Sequence, residues 1–153
     1  VEFERIKTEF YNEVVYADNG PGADEYVKAI MLSYADDPGM RSSLADILAD
    51  ELVTEELAKF ADAAYGAWVA AGAIAKNKWV LSFAAIHGSQ SIIDDYVYAI
   101  KDWADNMRGA IAADAVRALA LNGSSKALMI VDNMSRKFKN KQVKNLVIKK
   151  ILY

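Results

Sequence analysis

His87-Gly88-Ser89 and Asn122-Gly123-Ser124 stand 35 residues apart, and Thr54 stands 35 before Ser89. Fourteen residues beyond each hydroxyl comes a large aromatic: Trp68, Trp103 and Phe138. The stretch from Thr54 to Lys150 therefore reads as an internal repeat of helix pairs, with the rest of the chain extending it at both ends. Each hydroxyl is expected to be an N-cap, because its oxygen can accept from an unpaired amide of the first helical turn. Gly88 and Gly123 are expected in the left-handed position that ends the preceding helix. Glu55 and Glu56 put negative charge at the positive end of the helix that follows.

After each cap the apolar residues recur at intervals of three and four, the mark of one buried helix face. The first copy has Leu57, Phe60, Ala61, Ala64, Tyr65 and Trp68. The second has Ile92, Tyr96, Ala99, Ile100 and Trp103, and the third Leu128, Val131, Met134 and Phe138. A second helix follows in each copy: Ala75 to Ile86, Ile111 to Leu121, and Val143 to Leu152. One such pair cannot bury its own apolar face, so neighbours must stack. The fold class expected is all-α, a HEAT-like α-solenoid of about four antiparallel helix pairs with a ~35-residue repeat. The competing reading is an ordinary helical bundle whose spacing is coincidental.

Composition agrees with an all-helical chain. Of 153 residues, 54% are hydrophobic and only two are proline, so little interrupts helix formation. The chain has no cysteine, which excludes a disulfide framework and a thiolate metal site or nucleophile. No apolar run approaches the ~20 residues that span a bilayer, and no signal-like segment opens the chain. A cytoplasmic location and no membrane partner are expected.

Outside the repeat the signals are looser. Residues 1–22 read as a lead-in, ending in the Asn19-Gly20-Pro21-Gly22 linker. Residues 23–153 form the helical-repeat domain. Ala23 to Ala35 is expected to be a helix with Tyr26, Val27, Ile30, Met31 and Tyr34 inward. Asp36-Asp37-Pro38-Gly39 breaks it. Ser42 or Ser43 then caps a helix with Leu44, Ile47, Leu48 and Leu52 on one face. The chain opens on Val1 and closes on an apolar helix face without a following partner, so a fragment of a longer protein is expected.

Three blocks resemble bacterial MolR-like proteins, large chains that often carry a WGR domain. They are Ala67 to Ala73 with Ala75-Lys76-Asn77-Lys78-Trp79, Arg108-Gly109-Ala110 with Ala115 to Leu119, and Ser135 to Lys141. The resemblance covers roughly Ala23 to Tyr153. It implies a HEAT-like solenoid inside a multidomain bacterial protein, and it supplies no catalytic residues.

Charge is segregated. Residues 1–107 hold 8 Lys/Arg and 19 Asp/Glu, a net of −11, whereas residues 108–153 hold 10 Lys/Arg and 2 Asp, a net of +8. Arg136, Lys137, Lys139, Lys141 and Lys144 are the candidate anion- or partner-binding residues within an acid-free basic run. Other candidates have plainer explanations. His87, the single histidine, is expected to bond a carbonyl in the last turn of its helix. Asp94, Asp95, Asp102 and Asp105 read as a solvated acidic face, with Lys101 able to pair with Asp105. Trp68, Trp79 and Trp103 read as core. No cofactor, metal site or enzymatic activity is expected. The function expected is a non-catalytic interaction scaffold that binds protein through the concave side of the solenoid. The alternative is a nucleic-acid-binding module that uses the basic C-terminal helix pair.

Overall fold

A computed structural model gives the protein's structure and describes residues 24–137. These residues are all-helical, with seven α-helices, one short 3-10 turn and no strand among them. The chain divides into two compact units between Ser89 and Gln90. Residues 1–22, Phe138, the helix expected from Val143 to Leu152 and its strip of Leu146, Val147 and Ile151 lie outside the described residues.

The first unit contains α1 (Asp24–Asp36), α2 (Ser43–Ala49), α3 (Thr54–Ala70), a 3-10 turn (Ala75–Asn77) and α4 (Trp79–His87). α1 packs against α2 and α4, and α4 packs against α3. Val27, Ile30, Met31 and Tyr34 of α1 are buried as their spacing requires, but Tyr26 is exposed. Tyr26 lies in the first turn of α1, at the end of the buried stripe. Ser42 caps α2, its hydroxyl accepting from the Ala45 amide at 3.1 Å. The buried face expected for α2 is not formed: Leu44 and Ile47 are exposed, and Ala45 is the residue this short helix buries. Pro38 lies in the α1–α2 turn, and its carbonyl accepts from the Ser82 hydroxyl of α4 at 2.5 Å.

On α3 the expected stripe is intact, since Leu57, Phe60, Ala61, Ala64, Tyr65 and Trp68 are all buried. Thr54, however, is the first helical residue and not the cap. Val53 occupies the cap position and no side chain closes that end. Glu55 and Glu56 in the first turn supply the negative charge that favours a helix start. α4 is apolar all round, and every residue from Trp79 to Ala85 is buried, the pattern of a helix enclosed within its unit. The buried indole N–H of Trp79 has no hydrogen-bond partner among the described residues.

The second unit contains α5 (Ile92–Asp105), α6 (Gly109–Asn122) and α7 (Ser125–Lys137), with α6 packed against both others. α5 buries Ile92, Ile93, Tyr96, Ile100, Trp103 and Ala104. α6 is rich in alanine and buries most of its length. Gly123 ends it in the left-handed conformation (φ 74°), and the Ser124 hydroxyl caps α7 by accepting from the Ala127 amide at 3.2 Å. α7 buries Ala127, Val131 and Met134, while Leu128 is exposed and off the expected face.

The Gly88-Ser89 step behaves differently from its sequence counterpart. Gly88 is extended (φ −73°, ψ 178°), not left-handed. Ser89 is not a cap, because the cap position of α5 passes to Ser91.

The ends of the helices carry a different correspondence. α3 and α5 end at Ala70 and Asp105, and α4 and α6 end at His87 and Asn122, each pair 35 positions apart. Beyond Ala70 the Ala73 amide donates to the Trp68 carbonyl at 2.9 Å, and the Gly72 amide to Val69 at 3.0 Å. Gly72 has φ 103°. This is a Schellman closure. Beyond Asp105 the Arg108 amide donates to the Trp103 carbonyl at 2.8 Å, with Met107 at φ 64°. The same six-residue turn thus follows Trp68 and Trp103, and both rings are buried.

Candidate functional site

The sequence-expected basic run is only partly within the described structure. Arg136 is exposed on α7 and engaged by Asp132 one turn earlier, Nη2 to Oδ2 at 3.1 Å. Lys137 is the last residue of α7. Lys139, Lys141 and Lys144 lie outside the described residues. Lys126, near the start of the same helix, pairs with Asp94 of α5 at 3.0 Å. Trp68, Trp79 and Trp103 are buried, so none offers a face on which a base could stack.

A concave feature of the first unit lies elsewhere. A cleft of about 390 Å³ opens where α2, α3 and α4 meet. Arg41, Asp46, Asp50, Thr54 and His87 supply its polar wall, and Leu57, Ala58 and Ile86 its apolar wall. Arg41 is held across the mouth by Asp46, with Nε to Oδ2 at 3.0 Å and Nη2 to Oδ1 at 3.4 Å.

His87 does not bond a carbonyl. Its Nε2 lies 2.9 Å from the Tyr34 hydroxyl of α1, and its ring packs edge-on to Tyr34 and tilted against Phe83. Which of the two groups donates in this bond is set by the tautomer of the ring. Burial lowers the His87 pKa to about 4, with Asp46 raising it and Arg41 lowering it by smaller amounts. Burial likewise raises Tyr34 to about 12, reinforced by Asp46. At neutral pH the pair is uncharged.

A second polar junction lies beside it. The Asp62 carboxylate of α3 accepts from the Ser89 amide at 3.0 Å and from the Ser89 hydroxyl at 2.5 Å. The two bonds hold the Ser89 hydroxyl against α3, away from the first turn of α5. Gly88 is required here by space. A Cβ would fall inside 3.0 Å of the Ala84 carbonyl oxygen and 2.7 Å from Asp62 Oδ1.

Sequence reasoning placed His87 at a helix end but missed Tyr34, 53 residues away, and it missed Asp62. Neither has a local signal, since each acts across helices that only the fold brings together. Among the described residues no group of three or more His, Cys, Asp or Glu side chains is placed to hold a metal ion. Nor is any helix among them long and apolar enough to cross a membrane. No family model, curated protein or solved structure matches the chain.

Proposed function

We propose that the chain is a non-catalytic helical-repeat scaffold of HEAT-like kind, part of a larger bacterial multidomain protein related to the MolR-like group, which binds a protein partner. The observation that supports it best is the repeated turn after Trp68 and Trp103, with helix ends in the same 35-residue register. A repeat array offers a long surface for a partner without any catalytic group. Exposed apolar side chains suit that role: Leu44 and Ile47 on α2, and Leu128 and Met129 on α7.

Nucleic-acid binding through Arg136, Lys137, Lys139, Lys141 and Lys144 is the other reading, in a cytoplasmic setting common to both. The Asp132–Arg136 pair works against it by neutralising one of those cations.

Salt separates the two. The tagged parent protein is purified at low and at high salt. The scaffold reading expects a stoichiometric protein retained at both and lost from an Ile47→Glu/Met129→Glu variant. Recovery of nucleic acid alone, released steeply by salt and by Lys137→Glu/Lys141→Glu/Lys144→Glu, would favour the other reading.

A further inference from the structure

We infer that the cleft between α2, α3 and α4 binds a primary ammonium group on a short aliphatic stem, either a free alkylamine or a lysine side chain. The inference does not depend on the scaffold reading. It begins from groups in one cleft that fold and bonding leave unused. The Asp50 carboxylate and the Thr54 hydroxyl line it with no hydrogen bond or ion pair to another described residue. His87 lines it too. Its Nε2 is held by Tyr34, which does not line the cleft.

The charge favours a cation. Asp46 and Asp50 outnumber Arg41, and Arg41 is already paired with Asp46 through two bonds. That leaves Asp50 as the uncompensated charge at the rim. His87 adds no positive charge, because its ring is neutral. The cleft is also bordered by the C-terminal ends of α2 and α4, whose terminal carbonyls are the negative ends of helix dipoles. The start of α3 is the opposing positive end, and Glu55 and Glu56 in its first turn offset it. An anion would meet Asp46 and Asp50 directly.

The apolar wall sets the rest of the ligand. Leu57, Ala58 and Ile86 form a strip beside the polar groups, suited to methylenes behind an ammonium head. The head sits between Asp50 and the Thr54 hydroxyl, which accepts one of its three protons.

Nitrogen-15 NMR of the whole chain provides the test. It is titrated separately with n-butylammonium, with N-acetyl-lysine methylamide and with n-butanol. Saturable shifts are expected at the amides of Asp50, Thr54, His87 and Gly88 with either amine, and none with butanol. Tighter binding of the lysine derivative identifies a side chain as the source, and equal binding identifies a free amine. Asp50→Asn should weaken binding roughly two- to fivefold, the size of an exposed ion pair. Asp50 is exposed, so the variant should keep its helical circular dichroism. No saturable shift with either amine, equal response to butanol, or unchanged affinity in Asp50→Asn overturns the inference.

Discussion

Gly88→Ala is a one-methyl change whose cost follows from geometry. The backbone angles of Gly88 suit any residue, so conformational preference raises no barrier. Space does. The new methyl would collide with the Ala84 carbonyl oxygen, which also accepts the Gly88 amide at 2.8 Å. It would collide with Asp62 Oδ1 as well. A helix carbonyl cannot swing away without breaking the last turn of α4, so the chain at 88–89 must lift off α3. That lift breaks the two Ser89 bonds to the Asp62 carboxylate. Each bond to a charged acceptor contributes about 1.5–3 kcal/mol when intact. Partial exposure reduces this, and alanine returns about 0.5–1 kcal/mol through the unfolded chain. The net loss expected is about 2–4 kcal/mol, a fall in melting temperature of roughly 10 °C for a chain of this length. Urea unfolding followed at 222 nm measures it. Asp62→Ala should remove part of the same interaction, so the double variant should cost less than the sum of the singles. A Gly88→Ala protein within 0.5 kcal/mol of wild type, or strict additivity with Asp62→Ala, would refute the reasoning.

Other expectations follow from the same structure. Met107 is 95% exposed at φ 64°, so Met107→Gly should stabilise by about 0.5–1 kcal/mol, read as a higher urea midpoint. Trp103→Ala should cost about 3–5 kcal/mol, because the ring is buried; a loss below 1 kcal/mol in urea unfolding would contradict that burial. For His87 the folded pKa of about 4 lies below the ordinary 6.5, so the unfolded chain binds the proton first. Its contribution is complete above pH 6.5 and is lost as pH falls toward 4, up to about 3 kcal/mol. His87→Gln should flatten stability between those pH values, and an unchanged profile would show that the imidazole is not the titrating group.

The helices and their inward stripes were legible because a 3.6-residue period survives in the sequence wherever one face is buried. Val27, Ile30, Met31 and Tyr34 show it, as do Leu57 to Trp68. It misled at α2, where seven residues make too short a helix to need a full stripe, so Leu44 and Ile47 face out. Asn122-Gly123-Ser124 was legible as a stop and a cap because its bonds are local: the Ser124 amide donates to Asn122 Oδ1, and the Ser124 hydroxyl accepts from the Ala127 amide. His87-Gly88-Ser89 has the same punctuation, but Asp62, 27 residues earlier, captures the serine. The Tyr34–His87 pair, like the cleft beside it, arises from packing between distant helices, and no local pattern announces it. Arg136 was legible as a charge but not as a paired one, although Asp132 stands four residues before it.

The 35-residue register can be tested by deletion. Removing residues 89–123 joins Gly88 to Ser124, which restores Gly-Ser at the junction and takes out one whole unit. If the chain is a repeat array, that protein remains helical and unfolds cooperatively, because each unit depends on its neighbours and not on a closed core. Removing residues 97–113, about half of one period and so out of register, should abolish cooperative unfolding. Thermal circular dichroism of the two proteins side by side decides the matter. A folded, cooperative protein lacking 89–123 beside an unfolded one lacking 97–113 is the result predicted, and loss of cooperativity in both would contradict the repeat.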